Sequence, residues 1–310
     1  MNNKKEILLG VVIVTYNRKE LLKECIEACL KQTVKFSKII IVNNNSTDGT
    51  KEYLDSLKNK DIIVIHSKEN LGGAGGFHLA IKEASSLDLD YLLIIDDDAI
   101  IDKKYNEYII PYMNNNEGIL AFSGVVKTDG KIQFEHRRHM NKHFKCINST
   151  EEEYQKEYFD YELATFCGLY ISTKVIKKIG LPKKEFFIWF DDTEYSIRVL
   201  EYTKIRNINK AELNHKTTIA NNLGYNWKSY YSIRNQIIIL KQYFSKFDLF
   251  KFKVNIYIHI LYSNIRKIFG KSSYYGTVSK MYSDALKDGL TETLGRNEKY
   301  IFSNNGIFKK

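Results

Sequence analysis

The sequence predicts an α/β fold with a doubly wound sheet, followed by a helical region at the C-terminal end. Short aliphatic runs alternate with segments whose apolar residues recur every three to four positions. Polar clusters directly follow several of the aliphatic runs. Two prolines in 310 residues and 44% hydrophobic residues describe a folded chain rather than a linker or a disordered stalk.

The first hundred residues hold four predicted strands. The run at 7–14 is continuously aliphatic, as expected for a strand buried on both faces of a parallel sheet. Apolar residues then recur at helical spacing over 18–32. Further strands are expected at 39–42, 62–65 and 91–95, and further helices at 50–58 and 77–86. Doubly wound sheets of this kind bind ligands at the carboxyl ends of their strands.

Beyond the first hundred residues, further strands are expected up to about residue 235, and the apolar residues follow helical spacing after it. Strands are expected near 119–126 and 165–172, and the polar segment 127–160 between them is expected to be a mobile connection or lid. From Phe247 to Ile268, apolar residues step by three and four along one helical face. We therefore predict an α/β domain over residues 1–235 and a basic, aromatic helical region over 236–310.

Most of the net charge lies in that C-terminal region. Of the net +10, residues 236–310 contribute +8, from 13 Lys+Arg and 5 Asp+Glu, and ten Phe or Tyr residues lie between 236 and 275. These features are typical of a helix at an anionic membrane surface; the alternative is that the apolar face packs on the domain or on a second subunit. The first 235 residues are nearly neutral, which disfavours nucleic-acid binding.

The cysteines indicate a reducing compartment, and the apolar runs are too short for a membrane-spanning helix. Cys25, Cys29, Cys146 and Cys167 are too few and too scattered for a disulfide framework, so we expect reduced thiols. No uninterrupted apolar stretch is long enough to span a bilayer, and the run at 7–14 lacks a signal-peptide cleavage site. We expect a cytoplasmic protein that at most lies on a membrane.

The triad Asp96-Asp97-Asp98 directly follows a predicted buried strand. Like charges at this range raise one another's pKa values unless a cation compensates. Carboxylate oxygens suit Mg²⁺ or Mn²⁺, particularly an ion shared with substrate phosphates. Asp96 and Asp98 share a side of an extended chain, so they are the better ligand candidates, and Asp97 is expected to point away. The alternative is a solvated acidic loop.

A second carboxylate pair, Asp191-Asp192, follows five apolar or aromatic residues, 186–190. Such a water-poor setting can raise the pKa of a carboxylate and make it a usable base, and either residue could instead cap the following helix. His215, as a single histidine, is a structural residue by default. Arg234 could clamp a diphosphate or form a salt bridge.

Taken together, these motifs resemble those of family 2 glycosyltransferases with the GT-A fold, over residues 7 to about 240. The resemblance rests, in chain order, on Thr15-Tyr16-Asn17-Arg18, residues 43–50, Asp96-Asp97-Asp98, residues 191–194 and Tyr230-Tyr231-x-x-Arg234-Asn235. Within the family, the stretches 70–77 and 187–192 look most like those of the galactofuranosyltransferases, with rhamnosyltransferases close behind.

The resemblance implies a GT-A catalytic domain with a doubly wound mixed sheet over residues 1–235, and a role for each motif residue. Asp192 would be the catalytic base, and Trp189 and Asp191 would shape the acceptor site. A divalent metal, Mn²⁺ or Mg²⁺, would be bound by Asp96, Asp98 and His215. The donor nucleotide would be held by Thr15, Tyr16, Arg18, Asn43, Asn44, Asp97 and Arg234. Many members of the family have acidic residues where this chain has Asn43-Asn44.

The implied activity is an inverting, metal-dependent sugar transfer, best matched by UDP-galactofuranose as donor. The acceptor would be a glycan or a lipid-linked saccharide in cell-surface polysaccharide synthesis, at the cytoplasmic face of a bacterial membrane. The alternatives are a rhamnosyltransferase that uses dTDP-rhamnose and a non-catalytic scaffold of a polysaccharide-assembly complex. Peripheral membrane contact and a homo-oligomer are both compatible with this interpretation.

Overall fold

The computed structural model describes residues 6–115, 118–216, 226–269 and 273–301. The chain forms two compact units. The α/β unit comprises residues 1–140, 146–183 and 192–219, and the helical unit comprises residues 141–145, 184–191 and 220–310.

The first hundred residues contain the four predicted strands and the three predicted helices. In chain order the elements are β1 (Leu9–Thr15), α1 (Lys19–Leu30), β2 (Lys38–Asn43), α2 (Thr50–Ser56), β3 (Ile62–His66), α3 (Gly72–Ala84), β4 (Tyr91–Asp96) and β5 (Ala99–Ile101). Of these, β5 was not predicted, because three residues after a charged turn carry no periodicity.

The rest of the α/β unit is made of shorter elements. They are α4 (Tyr105–Met113), β6 (Ala121–Thr128), β7 (Lys131–Ile132), β8 (Arg137–Met140), β9 (Cys146–Asn148), α5 (Glu151–Tyr154), β10 (Tyr158–Tyr161), β11 (Leu163–Ala164), β12 (Leu169–Ser172), α6 (Thr173–Ile179), α7 (Asp191–Leu200) and β13 (Ile205–His215). Of these, β6 and β12 correspond to the two strands predicted beyond residue 118.

The main sheet is mixed, as the resemblance to the GT-A fold implied. Its strand order is β10-β13-β6-β12-β4-β1-β2-β3, with β5 paired to β13 and β7 to β6. The strands β4, β1, β2 and β3 are parallel, whereas β12 runs antiparallel to both β4 and β6. The carboxyl ends of β1, β2 and β4 therefore meet at one edge, where the predicted polar clusters lie.

Both faces of the sheet are buried, which explains the aliphatic runs in its strands. Val11 and Ile13 of β1 pack with α1 and α4 on one face, and Val12 packs with α3, α6 and α7 on the other. The helix predicted at 77–86 begins earlier, at Gly72, so the glycine-rich stretch 72–76 forms the first turns of α3. A Cβ at Gly76 would lie 2.4 Å from Val14 Cγ1, so glycine lets α3 approach β1 closely.

The polar segment 127–160 is folded, which corrects the expectation of a mobile connection or lid. β8 pairs with β9 and β11 in a small second sheet. Arg137 at the start of β8 is fully buried, and its Nη2 donates to the carbonyls of Gly124 and Cys167 at 2.8 and 3.0 Å. A buried guanidinium with these bonds fixes the segment against β6.

The helical unit is built from α8 (Trp227–Tyr243), α9 (Lys246–Ile268) and α10 (Ser273–Thr291). These helices share an apolar cluster that includes Tyr231, Ile237, Ile256 and Met281. The domain boundary predicted at residue 235 falls inside α8, which belongs as a whole to the helical unit. Among the described helices, none combines the length and apolar character needed to cross a bilayer.

Candidate active site

Asp96, Asp97 and Asp98 lie at the carboxyl end of β4, as predicted, but they do not alternate between two sides. Asp96 ends the strand, and Asp97 and Asp98 form the turn that leads into β5. Nη1 of Arg18 donates to Asp97 Oδ1 at 3.1 Å and to Asp98 Oδ2 at 2.6 Å. The prediction that Asp97 points away from Asp98 was wrong, because the two-residue alternation holds only while the chain is extended.

His215, the last residue of β13, lies beside this triad. β13 runs antiparallel to β5, and His215 is in register with Ala99. Its Nε2 lies 3.2 Å from Asp98 Oδ1, and its ring packs edge-on against that of His136 with 5.1 Å between centroids. The sheet thus brings together Asp98 and His215, two of the three residues to which the resemblance assigns a metal.

The three carboxyl groups have different pKa values because their neighbours differ. Burial, reinforced by the charge of Asp98, raises the pKa of Asp96 to about 7. Burial also raises the pKa of Asp97 to about 6, although Arg18 acts in the opposite direction. For Asp98, burial is outweighed by the hydrogen bond from His215 and the charge of Arg18, which lower the pKa. Asp98 is therefore the firmly ionised member of the triad at neutral pH.

The donor atoms around the triad fit a divalent cation. Ligand atoms of Asp96, Cys167 and His215 all lie within 4.8 Å of one another. Nδ1 of His215 is buried and has no hydrogen-bond partner in the described ranges, so it remains available to a ligand. Burial raises the pKa of the Cys167 thiol well above its usual value, which keeps it protonated and unsuited to a hard cation. The carboxylates and the imidazole suit Mn²⁺ or Mg²⁺.

Two of the predicted donor-binding residues are accessible at the end of β1. Thr15, which ends the strand, is buried and in register with Asn43 of β2. Tyr16 follows it and is exposed, and the Arg18 side chain is 49% exposed while it contacts the triad. Tyr16 and Arg18 are therefore the residues of this loop that can reach a nucleotide in solution.

Asn43 and Asn44, also predicted to contact the donor, use their amide groups within the protein. The side chain of Asn43 pairs with His66 Nδ1 at 3.1 Å and accepts from the backbone of Ser46. Asn44 Nδ2 donates to the carbonyl of Gly72 at 3.0 Å. Both side chains are buried, so they hold the loops around the carboxyl edge in place.

Asp192 lies in the first turn of α7, within the α/β unit. Its Oδ1 accepts from the backbone nitrogen and the hydroxyl of Thr193, and Arg138 Nη2 donates to the same hydroxyl at 3.1 Å. Burial raises the pKa of Asp192, and the charge of Arg138 opposes this rise. A raised pKa is what a carboxylate needs to act as a general base near neutral pH.

Trp189 and Asp191, the predicted acceptor residues, belong to the helical unit. Asp191 is buried, whereas Trp189 is 42% exposed. Trp189 borders a cavity of about 230 Å³ whose polar lining comes from Ser229, Ser232, Gln236, Asn255 and His259. An indole ring beside hydroxyl and amide groups is a surface suited to a saccharide, which combines apolar C–H faces with hydroxyl groups.

The segment 186–190, which carries Trp189, has an unusual backbone. Three of its aromatic residues have φ angles of 64°, 64° and 68°, a left-handed conformation that is rare for bulky side chains. Asn235 on α8 holds it: Nδ2 donates to the carbonyls of Phe186, Ile188 and Trp189 at 3.0, 3.2 and 2.8 Å. Strained conformations of this kind persist where surrounding contacts impose them.

Arg234 has neither of the two roles considered for it from the sequence. It is 1% exposed, and its guanidinium donates to the carbonyls of Glu185, Phe186 and Gly295 at 3.2, 3.0 and 2.6 Å. Burial lowers its pKa. Its predicted contact with the donor diphosphate is therefore corrected: the guanidinium is enclosed in the helical unit and holds the start of the segment 186–190.

Sequence reasoning missed His136, Arg137 and Arg138. Their row of basic and histidine residues in a polar stretch is typical of a surface, and nothing local signals that Arg137 is buried. His136 Nδ1 is 2.7 Å from Thr165 Oγ1, and burial lowers its pKa well below the usual value, so the ring facing His215 is neutral. His136, just before β8, thus packs against His215, and Arg138 within β8 reaches Asp192 through the hydroxyl of Thr193.

The mixed sheet and the helices that follow it are those of the GT-A fold. Among solved structures, that of GalNAc-T7 with UDP, GalNAc and Mn²⁺ matches 94% of this chain and 57% of its own, with a TM-score of 0.64 and 15% identity. TarS from S. aureus, in complex with UDP-GlcNAc, matches 92% of this chain and 81% of its own, with a TM-score of 0.57 and 16% identity. At this identity the likeness concerns the fold.

The chain belongs to glycosyl transferase family 2, whose model matches residues 10–180, more than half of the sequence. A relative among characterised proteins is the poly-beta-1,6-N-acetyl-D-glucosamine synthase of Staphylococcus aureus, 30% identical over 114 residues. That match covers 36% of this chain and 27% of the synthase, so this chain spans about a quarter of that relative's length. The chain is therefore a family 2 glycosyltransferase.

Proposed function

We propose that this glycosyltransferase moves a sugar from a nucleotide diphosphate to an acceptor hydroxyl with inversion at the anomeric carbon. The observation that carries the proposal is the cluster of Arg18, Asp98 and His215 at the carboxyl edge of the sheet. It combines a cation-binding set with a guanidinium at the position where open α/β sheets bind ligands. A diphosphate bridged to a metal ion is the ligand that such a set suits.

The chemistry is a single displacement. Asp96, Asp98 and His215 would hold Mn²⁺ or Mg²⁺, which when bound neutralises charge on the leaving diphosphate. Asp192 accepts the proton of the acceptor hydroxyl as its oxygen bonds to C1 of the sugar. The bond from C1 to the phosphate oxygen breaks, and the nucleoside diphosphate leaves with the electron pair. No covalent enzyme intermediate is formed.

The donor proposed first is UDP-galactofuranose, and the second is dTDP-rhamnose. The sequence motifs 70–77 and 187–192 support this order. The structures of GalNAc-T7 with UDP and of TarS with UDP-GlcNAc support a uridine donor. The buried amides of Asn43 and Asn44 leave Tyr16 and Arg18 as the proposed contacts to the nucleotide, with Thr15 and Asp97 behind them.

The proposed acceptor is a glycan or a lipid-linked saccharide of a cell-surface polysaccharide. Trp189 and the hydroxyl and amide side chains around its cavity support a saccharide, with Asp191 buried at the start of α7. The staphylococcal relative is a polysaccharide synthase, which supports the same class of product. We place the reaction at the cytoplasmic face of the bacterial membrane, where nucleotide sugars are made.

The test is turnover by the purified chain with UDP-galactofuranose, dTDP-rhamnose and UDP-GlcNAc, each with Mn²⁺ and with EDTA. We expect metal-dependent release of the nucleoside diphosphate from one donor. Asp192→Asn should lower transfer by about 10²–10⁴-fold, because the base is lost, and should leave UDP binding unchanged. Asp88→Asn, at an exposed loop carboxylate, is the control.

Two results would overturn the proposal. Wild-type transfer rates in the Asp192→Asn variant would exclude this residue as the base. Binding of a nucleotide sugar without turnover of any donor, in the presence of an acceptor extract, would favour the non-catalytic scaffold.

A further inference from the structure

The helix α9 exposes an unusual amount of apolar surface. Of the 17 large hydrophobic side chains that are exposed in the described ranges, ten lie between residues 247 and 269. We call the outer face of α9 the side that carries Phe247, Phe250, Tyr257, Ile258, Leu261 and Ile265. Exposed hydrophobic residues elsewhere are scattered singly, which is normal for a protein surface, whereas a contiguous patch marks an interaction site.

The opposite side of α9 is the one that holds the helical unit together. Ile256 and Ser263 are buried there, and Leu249, Phe252 and Ile260 pack against the cluster shared with α8 and α10. On a helix of 3.6 residues per turn, the six residues of the outer face span roughly 100° of the circumference, on the side away from Ile256. The apolar residues of the outer face therefore contribute nothing to the packing of the described part of this unit.

Basic residues accompany the outer face. α9 carries Lys246, Lys251, Lys253, Arg266 and Lys267 against a single acidic residue, Asp248. That carboxylate accepts from the backbone nitrogen and the hydroxyl of Ser245 at the helix start and pairs with His143 Nδ1 at 2.9 Å, so it is not presented to a partner. The Lys251 ammonium lies 4.3 Å from the ring centroid of Phe247. The surface is thus apolar in the middle and positive at its borders.

This combination of apolar and basic residues favours an anionic bilayer, rather than a second copy of the chain, as the partner of the outer face. A two-stranded coiled coil needs a narrow seam of Ile, Val and Leu, and about half of the exposed apolar residues here are Phe or Tyr on a broader arc. Aromatic residues prefer the interface between lipid headgroups and acyl chains, and basic residues bind anionic headgroups. At 23 residues, α9 is about 34 Å long, and it is not apolar enough to span a bilayer.

We propose that the outer face of α9 binds to a bilayer that contains anionic lipids, with the helix lying in the plane of the interface. The apolar side chains enter the boundary between headgroups and acyl chains, and the lysines bind the headgroup phosphates. This inference rests on the surface of the helical unit and does not depend on the proposed donor or base.

The experiment is flotation of the full chain with vesicles of phosphatidylcholine containing 30% phosphatidylglycerol. The double variant Ile258→Gln/Leu261→Gln removes two side chains that are 59% and 61% exposed. Its partition coefficient should fall by about 30-fold or more, because two aliphatic groups no longer leave water. The matched control is Ile147→Gln/Tyr202→Gln in the α/β unit, at residues 53% and 50% exposed, and it should bind as the wild type does.

A second pair of variants tests the charge. Lys246→Gln/Lys251→Gln should lower binding to the anionic vesicles by about 25-fold and leave binding to pure phosphatidylcholine unchanged. Lys58→Gln/Lys60→Gln, at exposed lysines of the loop before β3, is the control for the loss of two charges.

Three outcomes would overturn the proposal. The wild type could fail to float with anionic vesicles, or Ile258→Gln/Leu261→Gln could float as well as the wild type. Light scattering could instead show a wild-type dimer that this variant converts to a monomer without loss of lipid binding, and a second copy would then cover the face. Circular dichroism of each variant checks the fold, and donor turnover without lipid should be unaffected, which separates this failure from that of the proposed activity.

Discussion

Asp98 and Asp192 carry opposite pKa shifts because their neighbours differ. Asp98 lies 3.2 Å from His215 Nε2 and beside Arg18, so its pKa is lowered despite burial. The hydroxyl of Thr193 lies between the carboxylate of Asp192 and the guanidinium of Arg138. Burial raises the pKa of Asp192 more than the charge of Arg138 lowers it. A lowered pKa keeps a carboxylate charged for a cation, and a raised pKa lets one take up a proton. The two proposed roles therefore agree with the electrostatics of each residue.

At this scale we predict that Arg138→Gln moves the acid limb of the pH–rate profile to higher pH. Asp192 must be ionised to accept a proton, so activity falls as the pH drops through its raised pKa. Arg138 opposes that rise, and its removal raises the pKa of Asp192 further. Measurement of kcat/KM from pH 5 to 9 at saturating Mn²⁺ checks this.

Arg138→Lys is the control for that experiment, because it keeps the positive charge. Its acid limb should stay close to that of the wild type. An unchanged limb in Arg138→Gln, or equal movement in both variants, would show that the charge of Arg138 does not act on the base.

What the sequence could predict at the residue scale was the local clusters. Adjacent carboxylates after a buried strand or an apolar, aromatic run indicate a candidate site, and this pattern led to the prediction of Asp96, Asp98 and Asp192. The contacts of Arg18 and His215 with Asp98 depend on strand order, and no short-range pattern contains them. Arg234 was misassigned because a guanidinium in a motif looks the same whether it meets a phosphate or three carbonyl oxygens.

At the scale of elements, α8 holds the segment 186–190 in a conformation that the segment would not adopt alone. We predict that Asn235→Ala lowers the free energy of unfolding by about 2 kcal/mol, because the carbonyls of Ile188 and Trp189 lose their side-chain donor. The carbonyl of Phe186 keeps its bond from Arg234. We also expect a higher KM for the acceptor with little change in kcat, because Trp189 loses its fixed position. Asn235 is thus a positioning residue.

Asn226→Ala provides the matched control on the same helix. Asn226 caps the start of α8, where its side chain accepts from the backbone nitrogen of Lys228. Loss of this cap should destabilise the protein by about 1 kcal/mol and leave the acceptor KM unchanged. Equal effects of both variants on the acceptor KM would mean that general loosening of α8, rather than the hold on residues 186–190, explains the result.

The accuracy of the element predictions followed the regularity of each pattern. The strands up to residue 96 are buried on both faces and read as aliphatic runs, so they were located within a few residues. β13 was not predicted, because the pairing register shifts between Ile208 and Glu212 and interrupts its alternation. The strands β7, β9 and β11 have two or three residues, too few for any periodicity.

At the scale of the whole molecule, ligand binding should appear as global stability. We predict that UDP with Mn²⁺, at a hundredfold excess over its Kd, raises the free energy of unfolding by about 2.7 kcal/mol. EDTA should abolish the effect, because the diphosphate then lacks its bridging cation. Thermal unfolding followed by calorimetry measures both.

Asp98→Asn should lose the UDP-dependent increase, whereas Asp88→Asn should retain it. Asp98 is chosen because it contacts both Arg18 and His215. An increase that is equal with and without EDTA would contradict a metal-assisted site, and a normal increase in Asp98→Asn would exclude this carboxylate from it.

The division of the chain into two parts was predictable in outline from the distribution of charge and the spacing of apolar residues. Residues 1–235 are close to neutral and the remainder is strongly basic, which separated a ligand-binding part from a helical part. The division lies before α8 rather than at 235, because α8 begins at Trp227 and packs with α10. Amino-acid composition is an average over many residues, so it does not show at which residue a helix such as α8 begins.

The strand order also constrains when the site can form during synthesis. β1 to β4 are neighbours within the first 96 residues, so this half of the sheet can assemble early. β12 must then pair beside β4 before β6 is anchored, and β13, which carries His215, is added last. Nascent chains shorter than 215 residues hold three acidic side chains with Arg18 and without the histidine. We therefore expect acquisition of the complete cluster to be a late and slow step of folding.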